Sequence, residues 1–249
     1  MNRKEISIVV PVMNEEENVT LLINQISDAL QGIDYEVVFV DDGSTDNTLE
    51  ILKSHASDSF KVVEFMKNFG QSSAMQAGID FASGKYIATL DGDLQNDPSD
   101  IPGMLALLKE KKVDLVAGER LNRQDGAFLR KIPSKIANAI IRRTTGVYIR
   151  DYGCTLKVFT SKTAKMLNIY GELHRFIPVL AALQGSRIIQ IPVKHHARIH
   201  GTSKYGINRT FKVVSDLMLM IFLRKYMIKP MHFFGGIGLA LFGLGMSVN

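Results

Sequence analysis

Cysteine is nearly missing from the sequence. Cys154 is the only one in 249 residues, which excludes an internal disulfide framework and any cysteine-built zinc centre. Tryptophan is absent altogether. No strand-like run is followed by GxGxxG or GxxxxGK[ST], the glycine-rich cradles of dinucleotides and P-loop nucleotides, so dehydrogenase and NTPase readings fall. There is no internal repeat and no low-complexity linker. No secretory leader is legible either: Arg3-Lys4-Glu5 run straight into an apolar stretch that Pro11 and Asn14-Glu15-Glu16-Glu17 interrupt. The expectation is that the N-terminal domain stays in the cytosol. At 46% hydrophobic and 22% charged residues, the chain is no disordered polymer.

Each half is also short of one sign of charge. Residues 1–100 hold 18 Asp+Glu against 6 Lys+Arg, net −12, and residues 101–249 hold 7 against 24, net +17. The overall +5 conceals this split, which suggests two tasks within one fold. A basic half invites a nucleic-acid reading, but no recognition motif or aromatic stacking platform supports it.

The first hundred residues alternate. Strands are expected over 6–12, 36–40, 60–66 and 86–90, and helices over 19–30, 44–55 and 72–82, the second capped by Ser44 or Thr45. Strands alternating with helices predict right-handed crossovers and a mostly parallel sheet covered on both faces, an α/β domain. Residues 188–193 read as a further strand. Far downstream, residues 231–248 carry no charge. At about 1.5 Å per residue such a helix is about 27 Å long, within reach of a bilayer core. Five glycines argue against a soluble helix, and Arg224, Lys225 and Lys229 form a positive-inside flank. The expected organisation is a catalytic domain over 1–206, an amphipathic juxtamembrane helix over 207–229, and the start of a truncated transmembrane region over 231–249. The stripe Ile207, Phe211, Val214, Met218 and Ile221 suits either the membrane interface or packing on the domain.

In a parallel α/β sheet, ligands bind beyond the carboxyl ends of the strands, and here those ends are acidic. The first strand leads into Pro11-Val12-Met13-Asn14-Glu15, the second into Asp41-Asp42-Gly43-Ser44, and the fourth into Asp91-Gly92-Asp93-Leu94-Gln95. Two carboxylates one residue apart can offer oxygens to one hard cation, Mg²⁺ or Mn²⁺, which keeps positions open for substrate phosphate oxygens. Its expected task is Lewis-acid stabilisation of a departing diphosphate.

These residues resemble the GT-A glycosyltransferases of family 2, and within them the polyprenyl-phosphate glycosyltransferases, such as dolichol-phosphate mannose synthases and bacterial undecaprenyl-phosphate sugar transferases. Val10-Pro11-Val12-Met13-Asn14-Glu15 is similar to V-P-x-x-N-E, residues 40–46 to the base-binding V-D-D-G-S-x-D, and residues 91–98 to D-A-D-L-Q-x-x-P. Gly92 stands in for the usual Ala, a departure expected to matter little. The resemblance implies a nucleotide-diphosphate-sugar donor, UDP-linked, bound through Pro11, Met13, Asn14, Glu15, Asp41, Asp42 and Asp91, with Asp91, Asp93 and Gln95 on the cation. Gly118-Glu119-Arg120, Arg130-Lys131 and the segment 198–205 match basic motifs of the lipid-phosphate transferases. By resemblance, Arg120 and Arg130 or Lys131 receive the acceptor phosphate, while Arg198, Ser203 and Lys204 close over the donor diphosphate. Residues 122–125, 143–146 and 151–154 look closest to undecaprenyl-phosphate 4-formamido-arabinose transferases, although the sugar stays open.

Relatives with hydroxyl acceptors carry a Glu-Asp base pair where this chain has Glu172-Leu173-His174-Arg175. A phosphate monoester, with a second pKa of about 6, arrives mostly ionised and needs positioning cations more than a base. Asp151 is either an acceptor-side residue or a partner for Arg150 or Arg143. A zinc site on His195, His196 and His200 is not favoured, since no HExxH accompanies them. Cys154 reads as a small buried residue. The implied protein is a metal-dependent inverting transferase at the plasma (inner) membrane, its catalytic domain cytoplasmic and its oligomeric state open. The rivals are a family 2 transferase with a hydroxyl acceptor, a sugar nucleotidyltransferase, and a non-catalytic sensor. A processive synthase needs Q-x-x-R-W and therefore Trp, which is absent.

Overall fold

The structure is a computed structural model that describes residues 3–121, 142–143, 146–199, 218–219, 222, 225–226 and 229–247. Four parallel strands form its first half: β1 (Ile6–Val12), β2 (Tyr35–Asp41), β3 (Phe60–Glu64) and β4 (Tyr86–Thr89). β5 (Leu115–Arg120), β6 (Lys157–Thr160) and β7 (Ile188–Val193) complete a seven-stranded sheet of order β3-β2-β1-β4-β6-β5-β7. β6 runs antiparallel to both β4 and β5, whereas β7 lies parallel to β5. The predicted parallel sheet is therefore present, with one reversed strand wedged into it.

Every residue of β1 is buried. Ile6, Ile8, Val10 and Val12 join one core cluster and Val9 joins the cluster on the opposite face. Period-two alternation with apolar residues on both sides is how a strand covered on two faces reads. Helix α1 (Val19–Ala29) inserts Val19, Leu22, Ile23 and Ile26 into the first cluster, and α4 (Ile101–Lys111) adds Ile101, Met104, Leu105 and Leu108. On the other face, α3 (Gln71–Phe81) buries Met75 and Ile79 with Ile177 and Val179 of the later helix Ile177–Leu183. Each fully buried side chain of this size contributes about 1.5–3 kcal/mol against chain entropy.

Helix α2 covers Thr48–Ser54, four residues shorter at its start than expected. Ser44 and Thr45 do not cap it. Ser44 Oγ accepts the Asn14 amide at 2.9 Å, and the Thr45 amide donates to Asn14 Oδ1 at 2.8 Å. Residues that cap helices also stitch loops, and here the loop leaving β1 claims them. β3 ends at Glu64, two residues early, because the chain then turns into the wall of the site.

At the opposite end of the sheet from that site, Glu36 is buried among Ser7, Ser83 and Lys61. Its carboxylate accepts Ser7 Oγ at 2.6 Å, the Ser83 amide at 2.7 Å, Ser83 Oγ at 2.8 Å and Lys61 Nζ at 2.5 Å. Burial raises its pKa, but the bonds from Lys61, Ser7 and Ser83 outweigh that and hold it down at about 2.

The helix Met231–Ser247 has 17 residues, one short of the expected run, and its large side chains are exposed, Met231, Phe234, Leu239, Leu241 and Phe242 among them. Among the described residues no helix is long and apolar enough to cross a membrane. Phe222, Tyr226, Phe233 and Phe234 form an aromatic cluster with ring centroids 5.0–5.9 Å apart, tying the start of this helix to the residues before it.

Candidate functional site

β2 and β4 flank β1, so the strand order turns outward on both sides of it, and a crevice opens beyond the carboxyl ends at such a switch point. The three acidic motifs meet there. Asp41, at the end of β2, is 1% exposed; one carboxylate oxygen accepts the Ser44 amide at 3.1 Å and the other is buried with no hydrogen-bond partner among the described residues. A buried carboxylate oxygen is costly unless a donor arrives, so Asp41 keeps an acceptor position open at the end of β2.

Asp42 has a different occupation. Its two oxygens accept the amides of Phe69 and Gly70 at 2.7 and 2.9 Å, clamping the loop after β3 against the site. Burial pushes its pKa up, the two amides oppose that, and the Asp41 charge adds to it. Gly43 makes the clamp possible: its φ is +72°, and a Cβ there would lie 2.5 Å from the Lys67 carbonyl carbon. The loop carries the fully exposed Met66 and brings Asn68 Nδ2 to 2.5 Å from the Met13 sulfur. Sequence reasoning missed Lys67, Asn68 and Phe69, which show no charge pattern or periodicity; the lone Gly70, at φ +93°, was the available signal.

Asn14 sits at φ +52° between β1 and α1, a backbone region costly for a side-chain-bearing residue and often found at functional sites. Glu15 is used locally: one of its oxygens accepts Asn18 Nδ2 at 2.7 Å, and its amide donates to Thr48 Oγ1. Pro11 belongs to buried β1 and Met13 lines its exit.

Beyond β4, Asp91 Oδ1 accepts Gln71 Nε2 at 2.8 Å, from the first residue of α3. Burial pushes the Asp91 pKa up to about 6 and the Asp93 charge adds to that, against the Thr155 hydrogen bond and the charges of Lys157 and Arg120. Gly92 is dictated by packing, for a Cβ would approach Val12 Cγ1 to 2.8 Å. The exchange of Ala for Gly is therefore matched to Val12 rather than neutral. Asp93 Oδ2 and Gln95 Oε1 face a cation already: Arg198 Nη2 donates to them at 2.7 and 3.4 Å. Such an oxygen set suits a hard cation. Among the described residues, however, no three His, Cys, Asp or Glu side chains are grouped to hold a metal by themselves.

Arg198 arrives on a strap that follows β7. The Lys194 amide donates to Asp100 Oδ2 at 2.7 Å, Lys194 Nζ reaches Ser99 Oγ at 2.8 Å, and the His196 amide donates to the Gln95 carbonyl at 2.8 Å. A bridge joins Asn96 to His195, and His196 Nε2 lies 3.1 Å from Asp97 Oδ2. These histidines therefore serve the strap.

The acceptor-side candidates fall on the neighbouring strands. Arg120, the last residue of β5, makes a two-pronged pair with Asp151, Nε to Oδ2 at 2.7 Å and Nη2 to Oδ1 at 3.0 Å. Asp151 thus has Arg120 as a partner that the sequence did not suggest, and Arg150 Nη1 lies 3.7 Å from Glu119. Burial lowers the Arg120 pKa, but Asp151 more than compensates and raises it. Lys157, at the start of β6, is buried, donates to the Cys154 carbonyl, and has its pKa lowered by burial. Cys154 is buried as expected, and burial raises its thiol. Where a Glu-Asp pair would stand, Glu172 pairs with Arg175 at 2.7 Å and His174 Nδ1 lies 2.8 Å from Ser72 Oγ. Arg130, Lys131, His200, Ser203 and Lys204 lie outside the described residues.

Residues 7–168 match the profile described as glycosyl transferase family 2. A dodecaprenyl-phosphate galacturonate synthase of Rhizobium johnstonii is 49% identical over 251 residues, covering 98% of this chain and 74% of that protein. An undecaprenyl-phosphate 4-deoxy-4-formamido-L-arabinose transferase of Edwardsiella ictaluri is 38% identical, with coverage of 98% and 75%. Among solved structures, glucosyl-3-phosphoglycerate synthase from Mycobacterium tuberculosis, in complex with Mn²⁺, UDP-glucose and phosphoglyceric acid, superposes with a TM-score of 0.67 at 18% identity, over 89% of this chain and 79% of that one. S. aureus TarS in complex with UDP-GlcNAc gives 0.64 at 20% identity, over 88% of this chain and 66% of that one. At such identities the solved structures speak for the fold alone, a GT-A fold with a mostly parallel sheet. With the profile running from β1 past β6, and the curated relatives spanning nearly the whole chain, this protein belongs to glycosyl transferase family 2.

Proposed function

We propose that this chain transfers a sugar from a UDP-linked donor to a polyprenyl phosphate at the cytoplasmic face of the inner membrane, with inversion at the anomeric carbon. One observation supports the reading: two basic residues of the second half, Arg198 and Arg120, stand beside the acidic motif after β4. Arg198 touches Asp93, and Arg120 lies close enough to Asp91 for their charges to act on each other. The relatives, named for transfer to dodecaprenyl and undecaprenyl phosphate, support this choice of acceptor.

Asp41, with its unpartnered buried oxygen, would accept an N–H of the base, with Asn14 and the loop 65–70 walling the nucleoside. Asp91, Asp93 and Gln95 would hold Mg²⁺ or Mn²⁺, completed by donor phosphate oxygens. When bound, the cation supplies charge stabilisation for the departing diphosphate. Arg120, fixed by Asp151, would receive the acceptor phosphate together with Arg130 or Lys131. One ionised phosphate oxygen would then attack the anomeric carbon from the face opposite the diphosphate. The new C–O bond forms as the sugar–diphosphate bond breaks, and UDP leaves. No residue need take a proton, which accords with the Glu172–Arg175 pair standing where a base would be.

The exposed apolar helix Met231–Ser247, about 26 Å long at about 1.5 Å per residue, would begin the membrane-embedded part behind Arg224, Lys225 and Lys229. Incubation with a panel of nucleotide sugars and polyprenyl phosphate, followed by mass spectrometry of the lipid, tests the whole reading. A sugar-phospholipid product is expected; transfer only to hydroxyl acceptors would refute it.

A further inference from the structure

We propose that Arg198 is the resident counter-ion of the cation site, and that it and a divalent cation exchange places on Asp93 and Gln95. The inference rests on the cation reading above and deepens it. Arg198 Nη2 occupies the lone-pair side of Asp93 Oδ2 at 2.7 Å and of Gln95 Oε1 at 3.4 Å, the oxygens a cation would use. The Arg198 and Asp93 side chains are only 24% and 14% exposed. A guanidinium and a dication on one oxygen repel each other in a half-buried setting, so the two occupancies exclude each other.

The device has a physical reason. Asp91 and Asp93 are separated by one residue in the sequence, and two like charges held so close repel each other. An unoccupied pair of carboxylates in this setting is unfavourable unless a positive group stands by. Arg198 supplies it before the donor arrives.

The strap makes exchange local. Its backbone is pinned to the Asp91–Asp100 side of the site by the Lys194 and His196 amides and by the Asn96–His195 bridge. The last of these anchors lies two residues before Arg198, so the guanidinium can swing while the strap stays. Once displaced, it needs a new anionic partner, and a diphosphate provides one through charge-assisted hydrogen bonds. The same diphosphate supplies oxygens to the cation. Cation and nucleotide therefore bind with positive coupling, and the coupling is reciprocal.

The test measures Mn²⁺ binding to the detergent-solubilised full chain, by the electron paramagnetic resonance signal of free Mn²⁺, with and without UDP. Removing a competing bond to a charged group should make Arg198→Ala bind Mn²⁺ about tenfold to a hundredfold more tightly than wild type without UDP. The enhancement of Mn²⁺ binding by UDP should shrink in the same variant. Arg198→Lys, which keeps the charge but loses the planar fork, should fall between the two. General damage to the site would weaken Mn²⁺ binding, so a gain cannot come from misfolding. Equal or weaker Mn²⁺ binding by Arg198→Ala, with wild type still binding Mn²⁺ beside UDP, overturns the exchange and leaves the transferase reading standing. No Mn²⁺ binding by either protein, with or without UDP, removes the cation reading and the exchange together.

Discussion

Glu36→Gln offers a quantitative test of how the sheet is held, well away from the crevice. The wild-type carboxylate has its pKa lowered from the ordinary 4.5 to about 2 by Lys61, Ser7 and Ser83, against burial. At about 1.36 kcal/mol per tenfold change in proton affinity, this corresponds to about 3.4 kcal/mol of folding stability at neutral pH. Lys61 leaves 34% of its side chain in water, so screening reduces the figure to about 2–3 kcal/mol. The sign follows from the direction. A depressed carboxylate pKa contributes stability that is present above 4.5 and lost as pH falls through about 2, with more than half gone by about pH 3. Urea denaturation of wild type and Glu36→Gln between pH 7 and pH 3 should show a large gap at pH 7 that narrows steadily on acidification. Glu36 lies at the far end of the sheet, so the donor KM should stay unchanged. A gap that stays constant with pH would refute the linkage and leave only lost packing.

Three further outcomes bear on the site. Asp93→Ala should lower kcat about a hundredfold to a thousandfold with an unchanged circular-dichroism spectrum; near-wild-type transfer with added Mg²⁺ or Mn²⁺ would sink its role as a cation ligand. Arg120→Lys keeps the charge but breaks the two-pronged Asp151 pair, so the KM for polyprenyl phosphate should rise about tenfold while UDP affinity holds within about twofold; equal loss of both, in transfer and calorimetric assays, would contradict an acceptor-side position. Gly43→Ala forces a side chain onto a φ of +72° and against Lys67, so thermal unfolding should report about 1–3 kcal/mol of lost stability, with weaker UDP binding as the loop 65–70 shifts. Full stability with normal UDP affinity would show that the clamp is dispensable.

Much of the first half was legible because its signals are local. β1, β2 and β4 are apolar runs buried on both faces, and a run of that kind needs no knowledge of its neighbours to be read. The acidic motifs followed those runs directly, so the sheet rule placed them together. β6 was not legible: four residues, Lys157–Thr160, opened by a lysine, carry no periodic pattern, and only pairing with β4 and β5 defines the strand. The start of α2 misled for the opposite reason, since Ser44 and Thr45 are good caps whose bonds went to Asn14 instead.

By itself, the sequence determined an α/β sheet, acidic carboxyl ends to its strands, a basic second half and an apolar helix over 231–247, because hydrophobic spacing and charge are properties of neighbouring residues. The tertiary structure decided which charges meet. Arg198 reaches Asp93 across 105 positions, Asp151 meets Arg120 at the end of β5, and Asp42 uses its oxygens on a loop while one Asp41 oxygen has no partner among the described residues. Ion pairs and hydrogen bonds depend on distances of about 3 Å, and those distances exist only once strand order has brought remote segments to one edge of the sheet.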